Sequence, residues 1–199
     1  MKKAILFANG EYDSSYTYSR EDFIIAIDGG YDILFELGIK PSLVVGDLDS
    51  ISKPIPSDIK VIRLSVEKDD TDALYALKWA LKEGFDTFEL HAFLGKDLNH
   101  TLGNIELFLH LKKLGVNFKA YYQNKTYQVL HDECFEISKG KDKFTLLSLS
   151  EYSIASLYNV KYEVINHKFT NDIPLGIDNE FINKKAQIQV DSGYMLLIY

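Results

Sequence analysis

Hydrophobic and polar positions in this chain follow two periods, one in each part. Up to about Tyr122, short apolar runs alternate with stretches of helical spacing. The runs Lys3–Ala8, Phe23–Ile27, Ser42–Gly46, Val61–Leu64, Phe88–Phe93 and Phe118–Tyr122 predict strands. Between them, Ile33, Leu34 and Leu37 fall on one helix face. Leu74, Leu77 and Leu81 fall on a second, and Leu102, Ile105, Leu109 and Leu111 on a third. Gly38 and Gly84 are placed to end the first two helices, and Asp70 or Thr71 to cap the second. Strand, glycine turn, helix and strand follow one another within βαβ length. Glu11 to Asp22 is polar and rich in Tyr and Ser, as in a loop or weak helix.

After about Asn124 the helical spacing vanishes. Alternating runs appear at Lys143–Leu149, Val160–Ile165 and Ala186–Val190, and Asp191-Ser192-Gly193 predicts a hairpin turn before Tyr194–Ile198. The expected architecture is therefore an α/β N-terminal domain, residues 1–124, with a mostly parallel sheet. A small all-β sandwich, residues 125–199, follows it. Neither half is large, so an extensive interface is expected between the two or between subunits.

The predicted strands end in acids. Gly46-Asp47-Leu48-Asp49 closes the third, Asp28-Gly29-Gly30 closes the second, and Asp72 lies at the junction of the fourth strand with the next helix. In open α/β sheets, ligands bind off the carboxyl ends of the strands. Carboxylates presented there suit a hard cation such as Mg²⁺, which takes one or two of them plus phosphate oxygens. Each piece alone also reads as an ordinary turn or cap, since Gly, Asp and Ser are common in turns and acids favour a first helical turn. Three separate strands ending in carboxylates are harder to attribute to turns. Gly29-Gly30 lacks the third glycine of the dinucleotide fingerprint. His100, near the start of the third helix, is placed either to touch a ligand or to lie idle on the surface.

Composition narrows the partners. The 199 residues are 46% hydrophobic and 26% charged, as in an ordinary globular chain, with a net charge of -7. That balance argues against general nucleic-acid binding, which needs a basic patch. Arg20 and Arg63 are the only arginines, so phosphate contacts would fall to Lys, backbone N–H groups and metal. Cys134 is the single cysteine, and the apolar run at the start stops at Asn9-Gly10-Glu11, too short for a signal sequence. No run reaches membrane-spanning length. A cytoplasmic protein is expected.

Taken together, these pieces resemble the thiamine pyrophosphokinase family. Asn9-Gly10, Asp28-Gly29-Gly30, Pro41 with Gly46-Asp47-Leu48-Asp49-Ser50-Ile51, Lys68-Asp69-Asp70-Thr71-Asp72 and Asn99-His100-Thr101-Leu102-Gly103-Asn104 come in that family's order and spacing. The resemblance implies a Rossmann-like catalytic domain, a thiamine-binding β-sandwich, and a homodimer with active sites between subunits. It implies Mg²⁺-dependent transfer of pyrophosphate from ATP to the thiamine hydroxyl, giving thiamine diphosphate and AMP. Carried over, Asp47, Asp49 and Asp72 would hold the metal, and Asp28 would lie beside them. Gly29, Gly30, Lys68, Thr71, Lys96, Asn99 and His100 would face ATP.

Two departures stand out. Where the family has glycine, arginine, then Leu-Asp-His, this chain has Lys96-Asp97-Leu98-Asn99-His100. Lys96 is placed to take over the phosphate contact, although a lysine lacks the arginine fork. The family's Ser-Asn segment for thiamine appears as Asp178-Asn179, and a plain β-turn is the competing reading there. The competing functions are a relative that binds thiamine or a nucleotide without turnover, a haloacid-dehalogenase-type phosphatase using Asp47-Leu48-Asp49, and, further off, a metal-dependent glycosyltransferase.

Overall fold

The computed structural model describes residues 1–12, 19, 21–65, 69–138 and 143–199. They form two compact units, Met1–Leu107 with Leu114–Asn124, and Phe108–Lys113 with Lys125–Tyr199.

The first unit is built on β1 (Lys3–Phe7), β2 (Phe23–Ile27), β3 (Leu43–Gly46), β4 (Lys60–Arg63), β5 (Thr87–His91) and β6 (Asn117–Tyr122). They run in the order β6-β5-β1-β2-β3-β4, and each neighbouring pair is parallel. Parallel strands covered on both faces read as unbroken apolar runs, and β1, β2 and β3 are buried almost throughout. The chain builds outward from β1 on one side through β4, then returns to β5 on the other. The switch in direction therefore falls between the ends of β1 and β5.

Helices α1 (Gly30–Glu36), α2 (Asp72–Lys82) and α3 (Leu98–Lys113) follow β2, β4 and β5. α1 and α2 end in the same way. Gly38, at φ +70°, donates to Phe35, and Ile39 reaches back to Leu34. Gly84, at φ +82°, donates to Leu81, and Phe85 reaches back to Ala80. These are Schellman endings, which need the left-handed residue that glycine supplies. Thr71 is the cap of α2: its hydroxyl oxygen accepts the Leu74 N–H at 3.2 Å. On α3 the expected apolar side is buried at Leu109 and Leu111, whereas Leu102 is exposed.

The second unit holds β7 (Lys125–Leu130), β8 (Glu133–Ser138), β9 (Lys143–Ser148), β10 (Tyr152–Tyr158), β11 (Val164–Thr170), β12 (Asn179–Glu180), β13 (Lys185–Ser192) and β14 (Met195–Ile198). β12-β9-β14-β7 lie side by side, β11-β10-β13-β8 form a second sheet, and every pair is antiparallel. Leu146, Met195 and Leu197 from one set meet Ile137, Leu157 and Ile188 from the other in one apolar core. That is sandwich packing.

Two expectations fail here. Asp191-Ser192-Gly193 is not a hairpin turn, because β13 pairs with β10 and β8 whereas β14 pairs with β7 and β9. The left-handed Gly193 carries the chain from one sheet to the other. The run Val160–Ile165 is also no single strand. Val160 makes an isolated bridge to Phe181, Asn159 turns left-handed at φ 62°, and β11 begins only at Val164.

Candidate active site

Because β2, β3 and β4 are parallel, the acids that follow them share one edge of the first unit's sheet. Asp28 follows β2, Asp47 and Asp49 follow β3, and Thr71 and Asp72 open α2 beyond β4.

Asp28 is half-buried and holds a left-handed backbone, φ 45°. Its N–H donates to the Val45 carbonyl at 3.0 Å, and its Oδ1 accepts the Leu48 N–H at 3.3 Å. A non-glycine residue in this region costs about 1–3 kcal/mol and survives where the surroundings fix it. Burial, then the hydrogen-bonded Asp72 carboxyl, then the charge of Asp47 push the Asp28 carboxyl up to about 7. Two carboxyl groups joined by a hydrogen bond must hold a proton between them. The structure thus brings Asp28 and Asp72 together, with Asp47 close enough to be felt.

Asp49 is exposed. Its N–H donates to Asp47 Oδ1 at 3.1 Å, and Ser50 Oγ donates to Asp49 Oδ1 at 3.0 Å. Among the described residues, no three of His, Cys, Asp and Glu are gathered as a ready cage for a metal ion. A carboxyl group raised to about 7 beside further carboxyls is a place where a cation can stand in for its proton. A divalent ion fits this set only when phosphate oxygens complete its shell, which is how Mg²⁺ is commonly held.

The glycines bring the backbones close. A Cβ on Gly29 would lie 2.5 Å from Cγ of Asn9. The Asn9 amide therefore rests on the turn that carries Asp28. Lys68 falls outside the described residues. Beside the start of α2, a cavity of about 500 Å³ is lined by Leu64, Ser65, Asp69, Asp70, Tyr75 and Lys78. Asp70 is paired there with Lys78 at 2.8 Å.

The loop between β5 and α3 approaches the end of β1. Gly10 N–H donates to the Ala92 carbonyl at 2.6 Å and Glu11 N–H to Leu94 at 2.9 Å. Lys96, left-handed at φ 61°, donates from Nζ to Asn9 Oδ1 at 2.7 Å and from its N–H to Glu11 Oε1 at 3.3 Å. Tyr122 donates to Glu11 Oε2 at 2.9 Å, and this contact holds its hydroxyl above the usual tyrosine range. Asp97 caps α3, accepting the His100 N–H at 2.9 Å. Asn99 and His100 lie exposed in the first turn. Glu11 and Tyr122 carried no signal in the sequence. Asn9 was marked only by the Asn9-Gly10 turn directly after a buried strand and by its place among the pieces that resemble the family.

In the second unit, Asp178 and Asn179 differ although adjacent. Asp178 is exposed and pairs with Lys143 at 3.3 Å. Asn179 is 2% exposed, and its amide is engaged on both sides. Oδ1 accepts the Tyr162 N–H and Nδ2 donates to the Tyr162 carbonyl, each at 3.1 Å. Tyr162 itself presents its ring at 61% exposure, with the Lys161 ammonium 5.5 Å from the ring centre.

Residues 15–132 match the family model described as thiamin pyrophosphokinase, catalytic domain. A thiamine pyrophosphokinase of Bacillus subtilis (strain 168) is 28% identical over 182 residues, covering 87% of this chain and 85% of that protein. A crystal structure of thiamine pyrophosphokinase from Bacillus subtilis superposes with a TM-score of 0.87 at 25% identity, covering 99% of this chain and 98% of that one. The thiamin pyrophosphokinase from Candida albicans gives a TM-score of 0.76 at 17% identity, covering 98% of this chain and 88% of that one, which is a likeness of fold.

Proposed function

This chain belongs to the thiamin pyrophosphokinase family, an enzyme family that acts on thiamine with ATP as co-substrate, and we propose that it transfers pyrophosphate from ATP to the hydroxyl of thiamine with Mg²⁺. The hydroxyl oxygen bonds to the β-phosphorus of ATP, the bond from that phosphorus to the α-side bridging oxygen breaks, and AMP leaves. Thiamine diphosphate is the other product. The observation that carries the reading is the meeting of the Asp28 and Asp72 carboxyls at one sheet edge, with Asp47 beside them.

Asp47, Asp49 and Asp72 would hold Mg²⁺, with Asp28 completing the acidic wall. The bound ion would supply charge neutralisation at the phosphates, which phosphoryl-type transfer needs more than covalent help. The remaining work belongs to the chain. Gly29 and Gly30 would serve the phosphates only through the turn they form, since the room their missing Cβ atoms leave is taken by Asn9 and the Phe7 carbonyl, and the Thr71 hydroxyl, its oxygen already used as a cap, has its proton left to donate. Lys68, Lys96, Asn99 and His100 complete the ATP side.

On the thiamine side we assign residues 125–199, which make up most of the second unit. Asp178 is exposed and able to meet a cationic or amino group, and Asn179 acts there by holding Tyr162. The exposed tyrosine ring is a surface on which an aromatic ring can stack. Residues 1–124 are read as the catalytic domain with a Rossmann-like sheet; the strand order and parallel pairing within the first unit support this. A homodimer with active sites at the subunit interface is part of the same reading. Leu98 and Leu102, one turn apart on α3 at 71% and 55% exposure, support it. A cytoplasmic setting accords with the single cysteine. Among the described residues, no helix is long and apolar enough to cross a membrane.

The test is the full protein with thiamine, ATP and Mg²⁺. Equal formation of AMP and thiamine diphosphate is expected. Binding of thiamine without AMP release would instead identify a relative without turnover.

A further inference from the structure

Lys96 and Asn9 come from opposite sides of the point where the sheet changes direction. Asn9 follows β1, and Lys96 follows β5. In open α/β sheets that crevice is where ligands bind. Both residues are exposed, and they meet at 2.7 Å through Nζ and Oδ1.

Three observations set this contact apart. Lys96 holds φ 61°, a conformation that glycine would adopt without strain, so a lysine there is retained against a local cost. Among the described residues its ammonium pairs with no carboxylate, as is also true of Lys82 and Lys119, but it rests instead on the side-chain amide oxygen of Asn9. And the Asn9 amide that receives it lies against Gly29, next to Asp28, so the charge is set down beside the acidic edge. An amide oxygen is a weaker partner for an ammonium than a phosphate is, because only the anion adds a charge–charge attraction to the hydrogen bond.

We propose that Lys96 is a movable phosphate ligand, stored on the side-chain oxygen of Asn9 and transferred to the polyphosphate of the nucleotide co-substrate when that arrives. This rests on the ATP-dependent reading above and adds Asn9 to it as a positioning residue. The neutral amide keeps the ammonium extended toward the crevice and gives it up to an anion. A carboxylate at the same place would not release it as readily.

The experiment uses the full-length protein, and its first probe is inorganic tripolyphosphate with Mg²⁺, titrated by calorimetry. Lys96→Gly is expected to raise Tm, because the strain is relieved, while weakening tripolyphosphate binding about tenfold and raising KM for ATP with the KM for thiamine unchanged. Asn9→Asp is expected to raise KM for ATP several-fold by trapping Lys96 in an ion pair, with Lys96→Arg recovering part of the lost affinity relative to Lys96→Gly. A merely structural lysine would move stability and affinity together. Tripolyphosphate binding within twofold of the parent in both Lys96→Gly and Asn9→Asp overturns the proposal. A parent that binds tripolyphosphate through Lys96 yet forms no AMP would leave the latch standing and overturn the kinase reading instead.

Discussion

Gly46 and Asp28 compete for the same small volume: a Cβ on Gly46 would overlap Oδ1 of Asp28. Gly46 also sits at φ +150°, which side chains rarely adopt. Gly46→Ala must therefore push the Asp28 carboxyl away from Asp72. We expect a loss of about 1–3 kcal/mol in stability, the usual range for strain and overpacking. Turnover falls by at least an order of magnitude more than a misplaced surface residue would cause. Urea unfolding and AMP release measure the two.

Asp28 makes metal-free stability depend on pH in an unusual direction. Its folded carboxyl is raised to about 7, above the ordinary carboxylate value of the unfolded chain. Below the unfolded value both states are protonated, and the shared proton contributes fully. As pH rises through about 7 the folded state must give that proton up, so this contribution is lost between roughly pH 4 and 7. The Tm of metal-free protein should fall across that window, and Asp28→Asn should flatten the slope. Divalent-ion affinity should rise over the same range, because the ion takes the proton's place.

The Asp97 carboxylate caps α3 at the His100 N–H. Removing an N-cap costs about 0.5–2 kcal/mol. Both Asp97→Ala and Asp97→Arg should lower stability by that amount, whereas Asp97→Asn should keep it. Thermal unfolding of the three variants decides this.

Asp49 is exposed and Asn179 is buried, so the same truncation should act on different properties. Asp49→Ala should leave stability within about 0.5 kcal/mol, as for surface sites. It should nonetheless remove most turnover. Wild-type rates in that variant would take Asp49 out of the metal set.

Asn179→Ala leaves the Tyr162 N–H and carbonyl without their side-chain partners. An unsatisfied buried polar group costs about 1–3 kcal/mol. Stability should fall by that order, and KM for thiamine should rise more than KM for ATP. Tyr162→Ala, at an exposed ring, should raise the thiamine KM with little change in stability.

Periodicity carried most of the first unit. Strands buried on both faces must be apolar throughout, and helix ends in left-handed turns call for glycine, so β1–β3, α1 and α2 could be read from residue types alone, while the flanking β4 and β6 showed shorter or alternating apolar runs. The second unit was less legible. Strands such as β7 and β8 mix polar and apolar residues because their partners, not their own period, decide which side is covered. The turn at Asp191–Gly193 looked like a hairpin because local turn chemistry does not record which sheet the next strand joins.

The order of residues by itself determined that acids close several buried strands and that glycines stand where two helices end. Local chemistry is enough for this, since a strand that must be dry can place charge only at its ends. Tertiary structure alone decided which of those groups meet. Asp28 finds Asp72 across forty-odd intervening residues, Asn9 finds Lys96 from the neighbouring strand across more than eighty, and Asn179 turns inward while Asp178 beside it turns out. Parallel pairing and crossover direction create these encounters, and they are properties of the whole folded chain that no single stretch encodes.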